Sequence, residues 1–259
     1  MKKPAIADIC AILLLLNCIA GFAQSKKVIH VIYIGDSITQ GVQLDNPASQ
    51  APPATANAYL RSYYKSGTID FSNHGISGFT TVDFLPPGEI FKQVEQAANE
   101  IKDKPGILVF SIMLGTNDSA IVGPNGSPVQ PLDYFKNLKA ITDQLLNDYP
   151  GCRVIIHHPI WYSPNTYNGS RYLQEGLDRL QSYFPQIKNL VRDYAKSNKN
   201  RVFLGDTIGF GYFRNNYLTD LRPEQGREGI FYLHPNVRGA TALGEFWGKA
   251  IIKDIIKKQ

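Results

Sequence analysis

Residues 28–41 read VIHVIYIGDSITQG, and the fold turns on how that stretch is parsed. The run 28–34 is dominated by β-branched and apolar side chains, the pattern of a buried strand. It breaks at Gly35, and the polar residues Asp36, Ser37, Thr39 and Gln40 follow. Strand, glycine turn and helix start put Ser37 at the carboxyl end of a strand, which in an open α/β sheet is the edge where ligands bind. On local pattern alone the simpler reading is that Asp36 or Ser37 caps the next helix. The rest of the chain has to decide.

The 259-residue chain is 43% hydrophobic and 19% charged, enough to bury a full core without disulfide or metal staples. The net charge of +5 and pI near 9.0 come from scattered residues. No basic stripe interleaves with aromatics, so nucleic acid is not an expected partner. The one basic cluster, Lys253, Lys257 and Lys258, reads as a solvated helix end that complements the helix dipole.

Residues 1–23 differ in kind. Lys2 and Lys3 precede the apolar run 9–16, and Gly21 and Ala23 mark a cleavage site, the layout of a secretory signal peptide. The apolar run is too short for an ordinary membrane span, so stable membrane insertion is not expected. Asn17 stands before Cys18 where a lipoprotein signal has a small residue, which argues against a lipid anchor. An exported protein is expected, periplasmic or extracellular at a bacterial envelope. Cleavage removes Cys10 and Cys18 and leaves Cys152, which precedes a strand-like run and reads as structural.

In chain order, 42–56 reads as a loop, 57–64 as a short helix and 68–72 as a second strand opening into the turn Asn73-His74-Gly75-Ile76-Ser77-Gly78. Residues 89–103 place Ile90, Val94, Ala97 and Ile101 on one helical face. A strong buried strand, 107–114, closes in Gly115-Thr116-Asn117-Asp118. A helix over 132–146, a strand over 153–157, an aromatic loop at 161–167 and a long helix over 172–197 follow, the last kinked or divided by Pro185. A short strand spans 201–204, residues 205–235 carry little periodicity, and 240–256 is an amphipathic helix. Strands alternating with helices predict an α/β fold with a doubly wound parallel sheet of about five strands. No repeat or linker divides residues 24–259, which read as a single domain.

Three strand ends thus carry polar or glycine-rich turns, at Asp36-Ser37, Ser77-Gly78 and Asn117-Asp118, and a parallel sheet sets all three along one edge. Such a cluster suits acyl transfer. A serine hydroxyl needs a base to become a nucleophile, and the tetrahedral oxyanion needs fixed donors. The N–H groups of Ser37 and Gly78 and the amide of Asn117 could supply them, glycine allowing close backbone approach. Of the five histidines, His30 lies early in its strand and His74 within a turn. His157 and His158 are adjacent, so their side chains diverge, which is poor metal geometry; they read as structural, and no metal or organic cofactor is called for. His234, in Tyr232-Leu233-His234-Pro235-Asn236, is presented from a loop at the mouth of the final helix.

Gly35-Asp36-Ser37-Ile38, the Asn73 to Gly78 turn, Gly115-Thr116-Asn117-Asp118 and His234-Pro235-Asn236 together resemble the SGNH (GDSL) hydrolases, in family order and across nearly the whole mature chain. The resemblance implies a flavodoxin-like three-layer α/β/α sandwich and ester hydrolysis. It implies Ser37 as nucleophile, Gly78 and Asn117 as oxyanion donors beside the Ser37 N–H, and His234 as base. One position departs. The family usually has an aspartate three residues before the histidine, and here Phe231 stands there. A backbone carbonyl within 228–232 could accept the imidazole N–H and give a Ser-His dyad, or a carboxylate from Asp220, Glu224 or Glu228 could swing in. The carbonyl is preferred, because Phe231 would shield it from water, and on that reading no single carboxylate in 220–228 is needed.

The substrate must be read from loops, since one fold hosts many esters. Gln43, Asp45, Asn46, Ser49 and Gln50 are polar where a long acyl chain would want aliphatics. Trp161, Tyr162, Tyr167, Tyr172, Tyr212, Phe213 and Tyr217 offer flat faces to a sugar, unless they merely pack the loops. Arg214, Arg222 and Arg227 could clamp a carboxylate-bearing sugar. The Gln50-Ala51-Pro52-Pro53-Ala54 stretch and the export signal are similar to secreted bacterial sialate O-acetylesterases. That implies a small-molecule or glycan ester as partner, with Gln50, Trp161, Tyr162 and Arg214 as candidate substrate contacts. Acetyl-xylan or pectin esters, and an envelope lysophospholipase or thioesterase activity, are the rivals.

Overall fold

The computed structural model describes residues 28–65 and 67–257. The leader at 1–23 with its two cysteines, and Lys258 of the basic tail, lie outside them. Five strands form a parallel sheet in the order β2-β1-β3-β4-β5: β1 Val28–Gly35, β2 Thr68–Gly75, β3 Ile107–Met113, β4 Arg153–Ile156 and β5 Val202–Leu204. This is the flavodoxin-type doubly wound order, whose direction reverses at the β1/β3 boundary. β1 sits between β2 and β3, and its apolar side chains are buried on both faces rather than alternating, as in a parallel sheet whose crossover helices cover both sides.

Register sets the chemistry. Gly35 pairs with Gly75 on one side and with Met113 on the other, so three strands end level. The residues just beyond them, Ser37, Ser77-Gly78 and Asn117, therefore leave the sheet along one edge.

The helices are α1 Ser37–Gln40, α2 Pro47–Gln50, α3 Pro52–Tyr63, α4 Glu89–Asn99, α5 Pro131–Asp148, α6 Leu173–Ser197, α7 Gly209–Asp220 and α8 Val237–Ile251. α3 packs on α8, and Trp247 of α8 stacks on Tyr33 of β1 and His157 beyond β4, at 5.7 and 5.1 Å between ring centres. α5 and α6 pack together through the stacked rings of Tyr134 and Tyr183, 4.0 Å apart, with Tyr194 donating to Asp143. Each aromatic ring buried this way contributes on the order of 2–3 kcal/mol by area alone.

Several boundaries differ from the sequence reading. The stretch 42–56 is not all loop: prolines at the first helical turns start α2 at Pro47 and α3 at Pro52, where the missing N–H has no intrahelical partner to lose. α6 runs unbroken through Pro185. The aperiodic 205–235 folds as α7 and an antiparallel hairpin of β6 Leu221–Gly226 and β7 Gly229–Pro235. His234 therefore stands on a strand, not in a loop, and Pro235 pairs with Leu221 at the hairpin's end. An isolated two-stranded hairpin is marginal in water, so this one depends on docking. Leu221, Phe231 and Leu233 are buried in the main core. Asn165 donates to the carbonyls of Glu228 and Ile230 (3.1 and 2.8 Å), and Ser163 exchanges hydrogen bonds with Tyr232 (2.9 and 2.8 Å). Among the described residues no helix is long and apolar enough to cross a membrane.

Candidate active site

The capping question at Ser37 has a clear answer. Asp36 is the N-cap, its carboxylate accepting from the Ile38 N–H at 2.9 Å. Burial pushes the Asp36 carboxyl above its ordinary range, and the bond from Ile38 opposes that rise. With the cap supplied by Asp36, the Ser37 hydroxyl is left for another partner. Its Oγ lies 2.9 Å from Nε2 of His234.

The other face of the imidazole meets a carboxylate. Nδ1 of His234 is 2.8 Å from Oε1 of Glu224, and the same oxygen accepts from the His234 backbone N–H at 3.2 Å. A carboxylate can only accept, so Nδ1 carries the proton and Nε2 presents its lone pair to the Ser37 O–H. This corrects the preference for a backbone carbonyl. Glu224 and Phe231 are directly opposite each other in the hairpin, so the acid comes from the strand across from the position where the sequence holds a phenylalanine. Phe231 itself points into the core, and a Cβ at Gly226 would lie 2.7 Å from its ring, so only glycine lets β6 pass. The other two carboxylates considered stand apart. Asp220 is bound by Arg238 and Tyr212, at 3.0 and 2.5 Å, and Glu228 is exposed, only its carbonyl being used.

The candidate oxyanion donors are tied to the same edge. Ile76 N–H donates to the Gly35 carbonyl (3.0 Å), Ser77 N–H to Oε1 of Gln40 (2.8 Å), and Asn73 to the Thr39 carbonyl (2.9 Å). These bonds seat the 73–79 turn on β1 and α1. Gly78 has φ +80° with open space where a side chain would stand, a conformation that glycine adopts without strain. Asn117 gives one amide hydrogen to the Phe79 carbonyl at 2.9 Å, and its oxygen accepts from Tyr172 at 2.7 Å. That fixes the amide's orientation and leaves its second N–H free to point at a ligand. Ser37, as first residue of α1, has no intrahelical acceptor for its own N–H. Behind them Asp118 is fully buried, accepting from the N–H and hydroxyl of Thr81, and burial pushes its carboxyl up to about 7.

The candidate substrate contacts fare unevenly. Tyr162 is 0% exposed, its hydroxyl 2.9 Å from Ser119, so it packs and offers no face to a sugar. Trp161 is buried too, tilted against Tyr217 at 5.3 Å, and Tyr217 in turn meets Tyr232 of the hairpin. Gln50 turns its amide oxygen to the Asn46 N–H, at the start of its own helix. Arg222 donates to the Gln43 carbonyl, and Arg227 sits over Tyr167, so of the three arginines Arg214 alone remains exposed and uncommitted among the described residues. His157 (lowered to about 3) and His158 (to about 4) are held neutral by burial, one between Ser111 and the Asp206 N–H, the other on Phe184. Among the described residues no cluster of side chains could hold a metal ion.

Glu224 carries no local sequence signal beyond being one of three carboxylates in 220–228, and the contacts of Gln43 and Tyr172 with site residues emerge only in the fold.

Residues 33–242 match the model of the GDSL-like lipase/acylhydrolase family. Among curated sequences none matches the chain. Similar solved structures include Est24, a carbohydrate acetylesterase from Sinorhizobium meliloti, at 18% identity and TM-score 0.57, over 86% of this chain and 98% of that one. A family 3 carbohydrate esterase from Clostridium thermocellum gives 17% and 0.57, over 88% and 96%. A two-domain esterase active on acetylated mannans gives 13% and 0.55, over 97% of this chain and 54% of that one. At these identities the structures speak for a shared fold. The family match spans most of the chain, and the chain belongs to the GDSL-like lipase/acylhydrolase family of carboxylic ester hydrolases.

Proposed function

We propose that the protein is a serine O-acetylesterase of carbohydrates, working through Ser37, His234 and Glu224. The reading is carried by one line of contacts: Ser37 Oγ to His234 Nε2 at 2.9 Å, and His234 Nδ1 to Glu224 Oε1 at 2.8 Å. His234 takes the Ser37 proton as Oγ attacks the acetyl carbonyl carbon, and Glu224 stabilises the resulting imidazolium. The carbonyl oxygen becomes an oxyanion, bound by the N–H groups of Ser37 and Gly78 and by the Asn117 amide. The intermediate collapses, His234 returns the proton to the leaving sugar oxygen, and acetyl-Ser37 remains. Water, deprotonated by His234, then attacks the acetyl-enzyme, releasing acetate and restoring Ser37.

A glycan ester is supported by the polar side chains of the 42–50 stretch and by the names of the structural neighbours, three of which are carbohydrate esterases. O-acetylated sialic acid is the first substrate to test, with Arg214 as its carboxylate partner. The engagement of Arg222 and Arg227 elsewhere favours a second reading, an acetylated neutral glycan such as xylan or mannan. We place the enzyme outside the cytoplasm on the strength of residues 1–23, and read residues 24–259 as a single catalytic domain because no repeat or linker divides them.

Acetate release from O-acetylated sialic acid, acetyl-xylan and acetyl-mannan, measured side by side, separates the substrates. Release from xylan or mannan alone sinks the sialate assignment. With p-nitrophenyl esters, rates should fall sharply beyond acetate or butyrate; a preference for long chains points instead to a lipase or thioesterase. A fluorophosphonate should label the native protein and not Ser37→Ala.

A further inference from the structure

Glu224 uses its two oxygens differently. Oε1 serves His234, while Oε2 accepts from Nε2 of Gln43 at 2.6 Å. Gln43 lies just after the nucleophile's helix, and everything around it is pinned. Its preceding residue, Val42, donates its N–H to the carbonyl of Ser37 itself at 3.0 Å. The following residue, Leu44, is buried with Ala51 and Ala240. The Gln43 carbonyl accepts from Arg222, which lies two residues from Glu224 on β6.

Gln43 has φ +67°, in the left-handed region where glycine or asparagine would sit with less strain. A glutamine is held there although its backbone disfavours it, and its side chain is the one part that does something neither glycine nor asparagine can. It reaches across to the carboxylate that faces the base.

We propose that Gln43 is a positioning residue for Glu224: it binds the outer carboxylate oxygen and so keeps the inner one on His234. Without that bond the carboxylate is free to rotate about its terminal torsion, which is broad in glutamate. The imidazole then loses a fixed acceptor, and its charged form in the transition state loses stabilisation. Because the same residue is continuous with the nucleophile's helix, it also fixes the distance between the hairpin carrying the base and the edge carrying Ser37. This inference rests on the Ser37–His234–Glu224 reading.

The test uses full-length protein and p-nitrophenyl acetate. Gln43→Asn keeps a residue at ease in the left-handed region but withdraws the amide by one methylene, and Gln43→Gly removes it. Each should lower kcat about tenfold or more, the effect of one hydrogen bond to a charged acceptor, with KM within about twofold. The thermal midpoint should stay at or above that of the native protein. In a Glu224→Ala background the same substitutions should change kcat by less than about twofold, because nothing is left to position. Loss of equal size in both backgrounds, a fall in thermal midpoint that accounts for the lost rate, or unchanged kcat in Gln43→Asn and Gln43→Gly overturns the role. If Glu224→Ala alone leaves kcat intact, the triad reading itself fails. If Glu224→Ala is crippled while both Gln43 variants are not, only the inference about Gln43 fails.

Discussion

Ser37 and His234 meet across 2.9 Å, yet the two sides of that hydrogen bond are built on different principles. The serine side is placed by the register of the sheet, with side chains pinning its turns. β1, β2 and β3 end level, Asp36 caps α1, and the 73–79 turn is fastened to β1 and α1 by three hydrogen bonds of 2.8–3.0 Å and to Asn117, beyond β3, by one of 2.9 Å. The histidine side is a two-stranded hairpin outside the sheet, docked by bonds from neighbouring loops: Asn165 on its carbonyls, Ser163 through both main chain and side chain on Tyr232, and Gln43 on Glu224. The candidate nucleophile and oxyanion donors, set by strand register, cannot shift without moving the core. The candidate base and acid, carried on a hairpin, are adjustable, which is how a carboxylate can reach His234 from β6 while Phe231 fills the core from β7.

The largest effects should be equal on the two sides. Ser37→Ala and His234→Ala should each cut kcat for p-nitrophenyl acetate by about 10⁴-fold or more, and the double variant should fall hardly further, since the residues act as a unit. Additive losses would mean the two groups do not share one step.

Next, the hairpin side separates into acid and scaffold. Glu224→Ala should cost on the order of 10²–10⁴-fold in kcat, as loss of a triad acid does, while Glu228→Ala should leave kcat unchanged. The reverse result would restore the idea that a hairpin carbonyl steadies the imidazole.

The two sides also differed in how far they could be read from sequence, for the same physical reason. Strand ends and their glycine turns are local patterns, so Ser37, Gly78 and Asn117 fall on one edge as soon as the α/β alternation is recognised. The five-strand parallel sheet follows from that alternation too. The hairpin lacks a local signal: β6, LRPEQG, contains a proline and no apolar alternation, and its register with β7 is set by docking against Asn165 and the core. That Glu224 lies opposite Phe231 is a pairing fact, invisible until the strands are placed. The aromatic loop failed differently, because burial of Tyr162 and Trp161 depends on what packs above them, which composition does not say.

On the serine side the oxyanion donors should matter less than the nucleophile but more than their supports. Asn117→Ala should lower kcat about 10²–10³-fold, the cost of one oxyanion donor. Tyr172→Phe keeps the ring and removes only the hydroxyl that fixes the Asn117 amide. It should cost several-fold in kcat with little change in KM. A larger loss than Asn117→Ala would show that Tyr172 touches substrate itself.

The smallest effect on rate, and the one that tests how deeply the serine side is rooted, is at Asp118. Its carboxyl is fully buried behind Asn117 and is pushed by burial from 3.8 up to about 7, against the hydrogen bonds from Thr81. The folded state therefore holds this proton where the unfolded chain has released it. Linkage gives the sign: between about pH 4 and pH 7 the native state binds more protons, so Asp118 carries no ionisation penalty below about pH 4, a penalty that grows as pH rises through that window, and its full penalty above about pH 7. His157 and His158 act oppositely. Their values are lowered from 6.5 to about 3 and 4, so the unfolded chain takes up their protons first and stability rises with pH over that range. The raw stability curve mixes these slopes, but the difference between native protein and Asp118→Asn isolates one of them. Urea midpoints at pH 5 and pH 8 should show the native protein losing stability relative to Asp118→Asn as pH rises, with kcat near its native value. A difference that is flat in pH would place the proton elsewhere, and a collapsed kcat would mean that the buried carboxylate, through Thr81, orients the edge that holds Asn117 and Gly78.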